Sequence, residues 1–106
     1  MEFQRLCDRA IEIRRQYADW ERERHGRSWT EEELALGFVG DVGDLMKLVQ
    51  AASGVRDIPD TEARLAHELA DCLWSVLVLA DAFGVDLERA FVQTMDEIEQ
   101  RLTDKG

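Results

Sequence analysis

Two pairs of acidic residues stand at helical spacing: Asp41 and Asp44 within "GFVGDVGDLMK", and Glu68 and Asp71 within "RLAHELADCLW". At about 100° per residue, Leu34, Phe38, Asp41, Leu45 and Leu48 fall in one stripe. Asp41 therefore lies inside an apolar face, with Asp44 one turn on. Leu65, Leu69, Cys72, Val76 and Leu79 form a second stripe; Glu68 borders it and Asp71 follows three residues later. A carboxylate on a core-facing stripe is costly unless something pairs it. Four of them in one cleft would repel and raise some of their pKa values. Hard divalent cations remove that repulsion, and carboxylate oxygens are what Mg²⁺, or Mn²⁺, takes. A single such pair usually belongs to a solvated face. Two pairs on consecutive antiparallel helices resemble the inward carboxylates of two-metal sites in bundles.

The elements that must position these acids are helices. The apolar spacing of Phe3, Leu6, Ala10, Ile13 and Tyr17 predicts a first helix from about Glu2 to Arg24, stopped at Gly26. Thr30 with Glu33 forms a capping box for a second, running to about Ser53 with Gly54 as terminator. Asp60 is the expected N-cap of a third that runs to about Phe83, and Asp86 caps a fourth that ends near Leu102. No strand-like alternation and no linker interrupt the chain, so residues 1–106 read as a single all-α domain. Short connections predict an antiparallel four-helix bundle protomer. The third helix is apolar around nearly its whole circumference, which asks for burial on all sides. A second subunit is expected to complete it, as a homodimer or a dimer of dimers.

Composition narrows the partners. The chain carries 23 acids against 13 Lys and Arg, a net charge of −10. Duplex nucleic acid and anionic membranes need basic patches, so a nucleic acid polymer and a membrane are both excluded. An anionic small molecule stays admissible where bound cations reverse the local field. Cys7 and Cys72 have no metal-site spacing and read as reduced thiols, in keeping with a cytoplasmic protein. The charged N-terminus has no apolar signal-peptide centre. Gly37, Gly40 and Gly43 line a strip beside Asp41 and Asp44; they let either a neighbouring helix or a ligand approach the backbone.

The segments "LALGFVGDVGDLMKLV" and "RLAHELADCLWSVLVLADAFGVDLERAF" resemble the MazG-like all-α nucleoside triphosphate pyrophosphohydrolases, including their dCTP pyrophosphatase branch. The family pattern is E-x-x-E on one helix and E-x-x-D on the next, then "G-[VI]-D-L-x-x-A". The resemblance covers about residues 30 to 101 and implies Mg²⁺-dependent hydrolysis of the α–β phosphate bond of a nucleoside triphosphate. By position it makes Asp41, Asp44, Glu68 and Asp71 the metal ligands, with Asp44 and Glu68 the catalytic pair and Asp44 orienting the attacking water.

Two departures accompany it. Both residues of the first pair are aspartates, one methylene shorter than the family's glutamates. Where the family carries lysine and asparagine on the last helix, this chain has Thr94 and Ile98. Thr94 keeps a hydroxyl for the substrate, while the phosphate grip passes to Lys47 or to the cluster Arg22, Arg24, His25 and Arg27. Each of these reads first as an ordinary surface charge, and Lys47 also as a partner of Asp44. Trp29 or Trp20 can stack on a base or pack in an interface. Trp74 reads as core or interface, and His67 as an aid to Glu68 or an exposed side chain. A second reading stays open: a member of the same fold that binds nucleotide or a protein partner without turnover.

Overall fold

The computed structural model describes residues 2–105, which form four helices: α1 (Phe3–His25), α2 (Glu31–Ala52), α3 (Thr61–Ala82) and α4 (Leu87–Lys105). No strand occurs among the described residues. The helix ends follow local chemistry. Thr30 accepts from the Glu33 N–H at 3.2 Å and the Glu33 carboxylate accepts from the Thr30 N–H at 3.1 Å, so the capping box is closed. Gly26 ends α1 at φ 78°, its N–H donating to the Arg22 carbonyl. Past α2 and α3, Gly54 and Gly84 take left-handed φ values of 82° and 66°. There the N–H of Val55 reaches back to Gln50 and that of Val85 to Ala80, the six-to-one bond of a Schellman stop. Asp86 caps α4 through the Arg89 N–H at 3.1 Å.

Asp60 does not cap α3. Its backbone is left-handed (φ 56°), whereas a capping side chain needs an extended backbone to fold over the first turn. Thr61 secures the junction instead, its hydroxyl donating to the Ile58 carbonyl at 2.6 Å.

α3 is the centre of the protomer. It packs along α2 and, on another side, against α1. Ala10, Leu48, Leu77 and Val78 are buried between them, and the Trp74 indole N–H donates to the Ala10 carbonyl at 3.0 Å. The expected bundle is not closed within one protomer. From Phe91 onward every described residue of α4 is exposed, including Val92, Met95, Ile98 and Leu102. Its apolar face is therefore turned to no other helix of the chain. The Cα radius of gyration is 17.0 Å, against about 13 Å for a compact domain of 100 residues. Leu69 and Leu73 on α3, and Leu36, Val39 and Met46 on α2, are likewise exposed. No helix among the described residues is long and apolar enough to cross a membrane.

Candidate metal centre and its two clefts

Asp41 and Asp44 leave α2 toward α3 one turn apart, and Glu68 leaves α3 toward them. Each offers an oxygen, and all three oxygens lie within 4.8 Å of one another. Asp44 is the exposed member; Asp41 and Glu68 are half-buried. Glu68 Oε1 is shut away from solvent with no hydrogen-bond partner among the described residues. Burial pushes the Glu68 carboxyl above its ordinary range, and the nearby charges of Asp41, Asp71 and Asp44 push the same way, with only His67 opposing. A buried oxygen without a partner costs roughly 1–3 kcal/mol, and three crowded carboxylates add repulsion.

A hard cation answers both penalties. Oxygens from both helices already lie within 4.8 Å of one another, so the three side chains could share one ion. The donor set is all oxygen, as Mg²⁺ and Mn²⁺ prefer. The residues present fit such an ion.

Asp71 stands outside the trio. Its Oδ2 lies 3.2 Å from the His67 Nε2, an i,i+4 contact along α3. The spacing that placed Asp71 near Glu68 also placed it one turn from His67. Cys72, beside the same acids, has its thiol raised by burial and by the Asp41, Glu68 and Asp71 charges, so it stays protonated.

The trio opens onto two clefts. The first, of about 480 Å³, lies where α1, α2 and α3 meet and is walled by Tyr17, Trp29, Leu34, Trp74 and Val78, with Asp41 and Asp71 at its floor. Gly37 borders it too, and a Cβ there would meet nothing within 4 Å, so α2 offers bare backbone to whatever fills the space. The Trp29 ring is stacked on His25 at 5.4 Å between centroids. Its backbone N–H donates to Glu21 at 2.8 Å, which fixes the start of the loop. Glu21 is 2% exposed and receives two hydrogen bonds from Arg14, at 2.7 and 3.0 Å. These bonds from Arg14, with that of Trp29, hold its carboxyl below the usual range against the opposing effect of burial.

Neither Arg14 nor Glu21 was singled out by the sequence, though the signal exists. The two are seven residues apart on the face that carries Ala10 and Tyr17, so opposite charges sit in register on an inward stripe.

The second cleft, of about 560 Å³, lies on the other side of the trio. It is lined by Asp44, Glu68, Lys47, Arg64, Asp60 and Ile58, among others. His67 borders both clefts. The pairing of Asp41 with Asp71 at one end and of Lys47 with Arg64 at the other shows α2 and α3 antiparallel. Lys47 forms no ion pair with Asp44 or any other described residue, so the expected helical pair is absent.

The remaining candidates are scattered. Arg27 is committed to Glu33, at 2.6 and 3.0 Å, and lies 5.5 Å from the Trp29 ring. Arg24 lies over Trp20 at 5.1 Å, and Arg22 pairs with Asp19. Thr94 is exposed on α4 and lines neither cleft. The glycine strip admits no helix within the protomer, since a Cβ at Gly40 or Gly43 would also meet open space.

A family model described as the MazG nucleotide pyrophosphohydrolase domain matches residues 29–104, which span α2 to α4. The chain is similar to dCTP pyrophosphatase 1 of Rattus norvegicus, with 35% identity over 96 residues. That match takes in 85% of this chain and 56% of the rat protein, so the chain spans little more than half the length of its relative.

Proposed function

Because the chain belongs to the MazG nucleotide pyrophosphohydrolase domain family, we propose that it hydrolyses the α–β phosphate bond of a nucleoside triphosphate in a Mg²⁺-dependent reaction. Residues 1–106 act as one all-α domain in this reading. The products are a nucleoside monophosphate and pyrophosphate. The observation that carries the reading is the Glu68 carboxylate, which has its Oε1 buried without a partner and offers an oxygen within 4.8 Å of oxygens of Asp41 and Asp44.

Asp41, Asp44 and Glu68 would hold the ion, with Asp71 beside His67 as a further ligand. When bound, the metal supplies charge neutralisation of the polyphosphate and Lewis-acid activation of water. Asp44 orients the attacking water, a role supported by its exposure beside two less accessible carboxylates. Water adds across the α–β bridge: its oxygen ends on one phosphorus, and the bridging oxygen departs with the other. The released proton passes to an Asp44 carboxylate oxygen and on to solvent. Trp29, Tyr17 and Trp74 receive the base in the first cleft, where stacking is open to any base. His25 stacks on one face of the Trp29 ring and fixes its orientation.

The protomer works as a homodimer or a dimer of dimers. The exposed apolar faces of α2, α3 and α4 support this, because patches of that extent on a soluble protein ask for a cover. Free thiols at Cys7 and Cys72 suit the cytoplasm.

The test is a panel of ribo- and deoxyribonucleoside triphosphates, dCTP among them, assayed with Mg²⁺ or Mn²⁺ for pyrophosphate. At least one triphosphate is expected to yield pyrophosphate and monophosphate in equal amounts, and Glu68→Gln to remove that release. Triphosphate binding with no release across the whole panel would instead mark a nucleotide-binding member of the family.

A further inference from the structure

The acid trio has two open sides, and their charges differ. The cations nearest the aromatic cleft are neutralised: Arg14 by Glu21 and Arg27 by Glu33. On the other side, Lys47 and Arg64 line the cleft and enter no ion pair among the described residues. Lack of an ion pair is common in this chain, where only Arg14, Arg15, Arg22 and Arg27 among the described Lys and Arg enter one. What sets Lys47 and Arg64 apart is their place: both line one cleft beside Asp44 and Glu68. They come from different helices, one turn beyond Asp44 and one turn before Glu68, so both border the same end of the trio.

We infer that Lys47 and Arg64 form the seat for the pyrophosphate end of the substrate, which gives the site a direction. The nucleoside occupies the aromatic cleft, the α–β bridge lies at the acid trio, and the β- and γ-phosphates extend toward Lys47 and Arg64 in the second cleft. This inference rests on the pyrophosphohydrolase reading and adds the orientation of the substrate and Arg64 as a binding residue. A triphosphate carries close to four negative charges, and its leaving portion gains charge as the bridge breaks. Arg64 offers a planar fork for phosphate oxygens and Lys47 a mobile point charge, the usual division of labour at phosphates. Asp60, at the rim of this cleft, disfavours an anion entering alone; a metal-bound pyrophosphate has less negative charge to repel. The two cations also occupy the place of the grip that Thr94 and Ile98 on the outlying α4 do not provide.

The experiment titrates inorganic pyrophosphate with Mg²⁺ into the full chain by calorimetry, alongside Mg²⁺ or Mn²⁺ alone. The variants are Lys47→Gln, Arg64→Gln, the pair together, and Arg101→Gln as a distant surface control. Both lining residues are exposed, and melting curves confirm that the variants are folded. The double variant is expected to bind pyrophosphate at least tenfold more weakly, while the metal alone binds no less tightly and the control matches wild type. Pyrophosphate affinity within twofold of wild type in the double variant would overturn the inference. So would an equal loss in Arg101→Gln, which would reduce the effect to net charge. A wild-type protein that binds no pyrophosphate would overturn it as well. The triphosphate panel then decides separately whether the hydrolase reading falls with it.

Discussion

Glu21 shows what a single residue does for this architecture. It is 2% exposed, and three donors converge on it: two from Arg14 and the Trp29 N–H. Through them α1 is tied to the loop that presents Trp29 to the aromatic cleft. Removing one partner of a buried ion pair leaves the other uncompensated and costs about 3–5 kcal/mol. Glu21→Gln is therefore expected to lower unfolding stability by that order in urea melts, whereas replacing Arg14 and Glu21 together by Met and Leu should be far milder. The pH dependence follows from the same contacts. The Glu21 carboxyl lies below its ordinary value of 4.5 when folded. As pH falls through about 4.5, the unfolded chain takes up this proton first. The stabilisation is thus complete above that pH and declines below it, and Glu21→Gln should flatten the acid limb of the stability curve. Residue types and spacing made Asp41, Asp44 and Glu68 legible, because inward acids on two apolar stripes have few structural uses. Asp71 was read with them as a ligand; helical spacing gives it two neighbours, Glu68 and His67, and in this structure its Oδ2 lies 3.2 Å from the His67 ring.

At the scale of elements, what the sequence carried best was local. The capping box at Thr30 and the glycine stops at Gly26, Gly54 and Gly84 depend on residues within one turn, and each forms as the spacing predicts. Asp60 fails as a cap because its backbone conformation is set by the whole 53–60 loop. The docking of α4 was not legible, since an amphipathic pattern says that a face must be covered but not by what. The same holds for α2, where Leu36 is 71% exposed beside Gly40 and Gly43. A partner helix can come close there, as no side chain stands on the strip. Leu36→Glu should leave the isolated protomer nearly unchanged, because exposed substitutions stay within about 0.5 kcal/mol. In sedimentation velocity, wild type is expected to run as a dimer or tetramer and this variant as a monomer. A monomeric wild type, or a variant of unchanged mass, would show that this face stays open.

Across the whole molecule, α3 is the shared wall. It meets α1 and α2 around the aromatic cleft and α2 with the 53–60 loop around the cleft of Lys47 and Arg64; its His67 lines both, with Glu68 the next residue. An acidic protein accepts an anionic substrate only if cations invert the field there. Everything proposed for catalysis therefore depends on a divalent ion held by Asp41, Asp44 and Glu68. The most direct test is the melting temperature of wild type and Glu68→Gln, each measured with and without Mg²⁺ or Mn²⁺. Wild type should melt higher with the metal. Glu68→Gln should melt higher than wild type without metal, because a crowded charge is gone, and should lose most of the metal-induced rise. A wild-type melting temperature that neither ion moves, or a rise that survives undiminished in Glu68→Gln, would contradict the account.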